Sequence, residues 1–283
     1  MSKEKEHWSI VIEPKRSLLS INLKEILEYK DLIYLFVRRD FIARYKQTIL
    51  GPLWFIIQPL LTTVMFTIVF GRIAKIPTDG VPHILFYLTG TVIWNYFSRC
   101  LTGTSTTFVS NAGIFGKVYF PRLVTPISIV ISNLFQFAVQ FSLLIAFWIY
   151  FILRGAPIHI GWEILLLPYL VLLSALLGLG FGILISSMTT KYRDLQFLIN
   201  FGMQLWMYAT PIVYPLSQVP DKWRVWIILN PVTPIVEGFK KAILGVGTLQ
   251  AWHLIYATVF TLVLLVIGIV VFNKVEQNFM DTV

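Results

Sequence analysis

Four basic side chains, Arg38, Arg39, Arg44 and Lys46, fall within nine residues of the stretch RRDFIARYKQTILGPLW, from Arg38 to Trp54. Directly after them the chain turns through Gly51-Pro52 into a long uncharged run. Cationic groups at such a boundary can do two kinds of work. They can orient the segment that follows, because positive charge gathers on the cytoplasmic side of a membrane. They can also grip phosphate through charge-assisted hydrogen bonds, on a lipid head group or on a lipid-linked substrate. The residues alone leave both readings open. Asp40 stands four positions before Arg44, the spacing of an ion pair on a helix.

Other chemistry is thinly supplied. The run from Asn111 to Val118 comes nearest to a phosphate-binding loop, but that loop needs Gly at 111 and Ser or Thr at 118. ATP hydrolysis by this chain is therefore not expected, nor is a cofactor of its own. The histidines, at 7, 83, 159 and 253, are scattered and fit no metal-ligand cluster. The single cysteine, Cys100, rules out an internal disulfide.

The elements that must position the basic cluster are apolar. Of 283 residues 57% are hydrophobic and 13% charged, with a mean hydropathy of +0.75. A soluble domain carries about 25% charged residues, so the chain reads as an integral membrane protein. A net charge of +9 would point to nucleic acid in a soluble protein. Here the basic residues crowd the N-terminal region and short loops, which suits anionic membrane lipid and excludes nucleic acid as the expected partner. The first 20 residues have no apolar core before a small-residue cleavage site, so no signal peptide is expected.

Residues 1–30 read as a mixed-charge cytoplasmic leader broken by Pro14, and 31–48 as an interface helix with Asp31 as its N-cap. On that helix Arg39 and Lys46 share a side with Leu32, Leu35 and Phe36, which suits a helix pressed between membrane and protein. Apolar segments at about 51–71, 81–100, 123–153, 164–190, 195–212 and 252–273 predict six spans in an all-α fold. Gly178, Gly180 and Gly182 predict close helix packing in the fourth. The region 213–250 carries prolines around two apolar pieces, Trp223–Leu229 and Ile235–Leu244, each too short to cross. It is expected to form an outer re-entrant hairpin, since irregular backbone at membrane depth must be covered by protein or line a cavity. With both termini inside, sixteen Lys and Arg fall on the cytoplasmic side and seven outside, the bias that positive-inside ordering requires.

Against this frame, Arg44-Tyr45-Lys46-Gln47-Thr48, Leu50-Gly51-Pro52-Leu53-Trp54 and Gln58-Pro59 resemble the entry of the permease subunits of ABC-2-type polysaccharide exporters, which export O-antigen, capsule or teichoic acid. Asn111…Lys117-Val118-Tyr119-Phe120-Pro121-Arg122, Tyr192-Arg193-Asp194, Asn230-Pro231 and Glu237-Gly238 follow in family order, so the similarity runs from about residue 30 to the C-terminus. The resemblance implies six spans in the bacterial cytoplasmic membrane and a channel formed with a second copy. It also implies two copies of a separate ATPase subunit that carry the ATP and Mg, and a polyprenyl-diphosphate-linked glycan as cargo. It makes Arg38, Arg39, Arg44 and Lys46 candidates to load the diphosphate head group. It makes residues 111–121 a cytoplasmic coupling helix, with Lys117, Phe120, Pro121, Arg122, Arg193 and Asp194 as candidate ATPase contacts. Each of these also has a plainer reading, as topology anchor, loop-to-helix junction or helix-end ion pair.

Aromatic residues make up 15% of the chain. Most are expected at membrane interfaces in any such protein. Trp54, Phe66, Phe70, Phe86, Tyr87, Trp94, Tyr96, Trp206 and Tyr208, in the first, second and fifth spans, are candidates to line a channel. An amphipathic ring packs on the C–H face of a sugar and hydrogen-bonds its hydroxyls, and many weak sites permit sliding. A drug or small-lipid exporter is the alternative substrate class. An ion-coupled carrier wants ionisable groups in mid-span and an internal repeat, and neither is legible here. A membrane glycosyltransferase wants acidic groups at the membrane face, where only Asp40 and Asp194 stand.

Overall fold

The computed structural model describes residues 23–46, 48–159, 161–192 and 194–279. Most of the 1–30 leader lies outside them, but its last part forms α1 (Leu23–Glu28), whose Ile26 is buried. Helix α2 (Lys30–Tyr45) begins one residue earlier than expected. Its N-cap position is Tyr29, which makes no side-chain cap bond. Asp31 sits in the first turn instead, where a carboxylate favours the positive end of the helix dipole.

Among the described residues the fold is helical without strands. Gly51–Leu53 forms a 3-10 turn, α3 spans Trp54–Phe66, and a π-helical stretch continues it through Ile73. Then come α4 (His83–Thr104), α5 (Thr107–Phe115), α6 (Val124–Leu153), a 3-10 turn Trp162–Leu166 and α7 (Leu167–Thr189). The chain ends with α8 (Leu195–Tyr208), α9 (Asp221–Ile228), α10 (Thr233–Leu244) and α11 (Ala251–Phe279). Among the described residues four segments are long and apolar enough to cross a membrane: Gly51–Ile73, Val124–Leu153, Trp162–Thr189 and Ala251–Glu276.

Helix α4 is the axis. It is long enough to cross but less apolar than those four, carrying Thr89, Thr91, Asn95 and Tyr96. Every residue from Leu85 to Trp94 is buried, because α3, α6, α7 and α10 surround it. In lipid there is no hydrophobic drive for one apolar helix to prefer another, so small residues that permit close approach decide the packing. Gly178 and Gly182 lie against α4, where a Cβ would stand 2.7 Å from Cys100 Cβ and 2.8 Å from Thr104 Cβ respectively. Gly180 faces the other way, onto Leu264 of α11. The glycine run thus seats two neighbours, not one.

The connections gather at two ends. At one end Phe36 of α2 meets Phe120 at 5.7 Å, Phe108 of α5 stacks on Phe272 of α11 at 4.4 Å, and Arg122 bonds the Glu276 carbonyl at 2.8 Å. At the other end Ser217 bonds Asp79 at 2.8 Å, and Lys241 pairs with Glu163 at 3.5 Å. The Trp148 indole also donates to the Ile243 carbonyl there at 2.8 Å.

The proline-rich region forms two short helices, α9 and α10, close to the expected apolar pieces. Helix α8 has 14 residues, about 21 Å, less than a bilayer core of about 30 Å. Helix α10 is buried at every position except Lys241. Two of the charges counted in the inside–outside bias, Lys240 on the outer side and Arg99 on the cytoplasmic side, lie within helices. Lys240 is 1% exposed, inside the protein. Arg99, assigned to the connection after the second span, lies within α4, whose helix runs on to Thr104; its guanidinium bonds the Gln58 side chain of α3 at 3.1 Å.

Candidate functional site

The basic cluster sits where α2 crosses α6. Tyr34, Val37, Arg38 and Phe41 recur at helical spacing on one side of α2, and with Asp40 they face Phe55 of α3 and Ser132 and Phe135 of α6. Together these residues line a cavity of about 330 Å³. Phe41 and Phe135 meet edge to face at 5.0 Å. The cavity thus offers aromatic walls with a guanidinium and a carboxylate at its edge.

The four basic candidates differ. Arg38 lines the cavity and makes no ion pair with a described residue. Arg39 is held against Asp40 at 2.9 Å and over the Phe36 ring at 4.7 Å. Arg44 lies on α2, but its side chain is outside the described residues, and so is the expected Asp40–Arg44 pairing. Lys46 caps the end of α2 and is exposed.

The helix expected at 111–121 has other bounds. The helix is α5, Thr107–Phe115, and 116–119 form an exposed tip. Asn111 is buried within it, its amide donating to the Thr107 carbonyl at 2.9 Å, so this run is helix and not a phosphate loop. Phe120 and Pro121 are buried, with Phe120 against Phe115 and Phe36 at 5.7 Å each. Arg122 is committed to Glu276. Phe120 and Arg122 fasten the end of α5 to α2 and α11, with Arg122 still partly exposed. Lys117, Val118 and Tyr119 remain exposed. Asp194 is exposed at the start of α8, while Arg193 lies outside the described residues.

The aromatic candidates separate as well. Phe66, Phe86, Tyr87, Trp94 and Tyr96 are buried in the core of the bundle. Phe66 meets Tyr87 at 6.3 Å, and Tyr96 meets Phe137 at 5.1 Å. Phe70 and Trp206 are half-buried, and Trp54 and Tyr208 are exposed. Period-seven spacing could not distinguish a lining from a core, because both place rings on one helix face.

The motifs near the end of the chain have structural work that spacing alone did not reveal. The Asn230 side chain accepts from the Trp206 indole at 2.9 Å and from the Val232 amide at 3.1 Å, and donates to Thr210 at 2.9 Å. It ties the end of α8 to the start of α10. Gly238 lets α10 close on α7, where a Cβ would stand 3.1 Å from Leu170. Glu237 accepts from the Thr248 amide at 3.0 Å and pairs with Lys240 at 3.7 Å. The Lys240 ammonium donates to the Pro211 carbonyl and lies 3.7 Å from the Phe86 ring centre. Among the described residues no His, Cys, Asp and Glu cluster could hold a metal.

Among the described residues an all-helical bundle with four membrane-length segments around a buried axis is the architecture of a membrane-embedded protein. Residues 31–244 match the ABC-2 type transporter family, and the chain belongs to it. It is 28% identical to the O-antigen export system permease protein RfbA of Klebsiella pneumoniae over 93% of this chain and 99% of that protein. It is 25% identical to the O-antigen export system permease protein RfbA of Myxococcus xanthus, over 92% and 98%. It is 23% identical to the polysialic acid transport protein KpsM of Escherichia coli, over 84% and 91%.

Proposed function

We propose that the chain is the channel-forming membrane subunit of an ATP-driven exporter of polysaccharide, with O-antigen-like, lipid-linked glycan as its cargo. The observation that carries this is end-to-end likeness: permeases named for O-antigen export align over 93% of the chain and 99% of their own length. Two copies form the channel, and two copies of a separate ATPase subunit bind and hydrolyse MgATP. The exposed Lys117-Val118-Tyr119 tip is one contact for that subunit, and the Arg193-Asp194 pair of residues is the second, Asp194 being exposed at the start of α8. Six spans cross the cytoplasmic membrane, α4 as the second and α8 with its following turn as the fifth. The region 213–250 returns to the outer side, and both termini are cytoplasmic. Trp54, Phe70, Trp206 and Tyr208, which keep ring surface at the edge of the protomer, contribute the lining.

Loss of this chain should abolish polymer at the cell surface and leave lipid-linked polymer inside, measured by surface labelling and lipid extraction. Surface polymer at wild-type levels would overturn the export function. Arg38 is the residue for the diphosphate. A guanidinium fork bonds phosphate at two points where an ammonium bonds at one. Arg38→Lys should therefore cut export about tenfold at unchanged membrane insertion, as loss of one charge-assisted bond implies. Full export by Arg38→Lys would leave the cluster as a topology signal.

The sidedness has its own test. In a Cys100-free variant, cysteines at Gln218 and Gly247 should react with an impermeant maleimide from outside intact cells. A cysteine at Tyr119 should react only after lysis. Labelling of Gln218 and Gly247 from opposite sides would change the span count.

A further inference from the structure

Between α6 and α7 a groove of about 670 Å³ opens sideways from the bundle. Tyr96 of α4 and Phe239 of α10 close its back, and Leu134, Phe141 and Leu172 stand in its walls. Among the described residues no charged side chain lines it. Both flanking helices are long and apolar enough to cross a bilayer, so the groove opens onto hydrocarbon. Its volume falls within the range of small-ligand sites, about 300–1,000 Å³. Left empty, it would forfeit the dispersion contacts of its walls.

One end of the groove carries a polar feature. The lining reaches Ile164 in the 3-10 turn. The preceding residue, Glu163, pairs with Lys241 of α10 at 3.5 Å, the side chains 18% and 31% exposed. Trp162 beside them is 70% exposed, as a ring at the bilayer interface would be. Gly161 makes room for the pair, since a Cβ there would collide with the Glu163 carboxylate. An apolar slot that ends in a solvated pair of opposite charges has the layout of a lipid with a zwitterionic head.

We propose that this groove is a phospholipid site. It takes one acyl chain of a phosphatidylethanolamine-type lipid, whose phosphate lies toward Lys241 and whose ammonium lies toward Glu163. Charge complementarity separates this occupant from the others. A purely anionic head meets Lys241 but is repelled by Glu163. A polyprenyl diphosphate carries only negative charge, and the basic cluster suited to it lies at the opposite end of the bundle. The bound lipid bridges the start of α7 to α10 and covers a seam that those helices leave open. The site depends on membrane embedding and not on the identity of the cargo.

The test uses the full-length wild-type permease in nanodiscs containing phosphatidylethanolamine or phosphatidylglycerol with a photoreactive diazirine on the acyl chain. Adducts mapped by peptide mass spectrometry should concentrate at groove residues such as Phe141 and Leu172. They should form about fivefold more with phosphatidylethanolamine, the ratio that one exposed charge contact gives. Glu163→Gln should erase that preference while the adducts persist. Adducts spread evenly over the lipid faces of α3 and α11 would overturn the site. Equal labelling by the two lipids would overturn the head-group assignment. Displacement of both by a polyprenyl diphosphate at low molar ratio would overturn the phospholipid in favour of the carrier's tail. The main readout needs no variant, so a misfolded Glu163→Gln does not spoil it.

Discussion

Replacing Lys240 by Met will destabilise the purified permease by about 3–5 kcal/mol, the cost of removing one partner of a buried ion pair. Lys240 is 1% exposed and Glu237 2% exposed, so water cannot take the place of a lost partner. Without the ammonium, Glu237 keeps the Thr248 amide at 3.0 Å, but its other oxygen has no remaining counter-charge. The Pro211 carbonyl also loses its donor, and the face of Phe86 loses the cation above it. The double variant Glu237→Gln, Lys240→Met should recover most of the loss, because replacing a buried pair by neutral groups of similar volume is often close to neutral. Thermal unfolding in detergent checks both variants and the wild type. A Lys240→Met protein as stable as wild type would mean that the pair contributes nothing to holding α10 in the bundle.

The second large effect is at the seam of α4 and α7. Gly178→Ala places a methyl 2.7 Å from Cys100 Cβ and 3.0 Å from the Phe97 carbonyl oxygen. Gly182→Ala places one 2.9 Å from the Leu101 carbonyl oxygen. Much of what they strike is helix backbone and cannot rotate away, so the helices must separate. Overpacking of this kind costs about 1–3 kcal/mol. Gly113→Ala and Gly202→Ala are the controls, since a Cβ at either meets nothing within 4 Å. Helix propensity alone favours Ala over Gly by up to about 1 kcal/mol, so the controls should be neutral or slightly stabilising. If all four variants shift the melting temperature alike, close approach at the seam is not what holds α4 and α7 together.

Sequence by itself determined the membrane class, because a charge content about half that of a soluble chain can be satisfied in few other ways. It determined where most apolar helices lie and which loops share an end, because apolar length and the bias of basic residues are one-dimensional signals. Gly178, Gly180 and Gly182 were legible as packing residues for the same reason. Their partition between α4 and α11 was not, since it depends on which helix stands on each side.

Tertiary structure decided the rest. Phe86, Tyr87 and Trp94 have the spacing of a lining and the position of a core, because α3, α6, α7 and α10 enclose α4. Phe120-Pro121-Arg122 looks like a docking loop in sequence. In the fold it is a fastening, because Glu276, 154 residues further on, returns to meet Arg122. Lys240 counts as an outer-side charge until Glu237, Pro211 and Phe86 are seen around it. In each case the deciding partner is remote in the chain. Local composition records the chemistry of a side chain; what it touches is settled by helix packing, which for most of these residues brings together segments far apart in sequence.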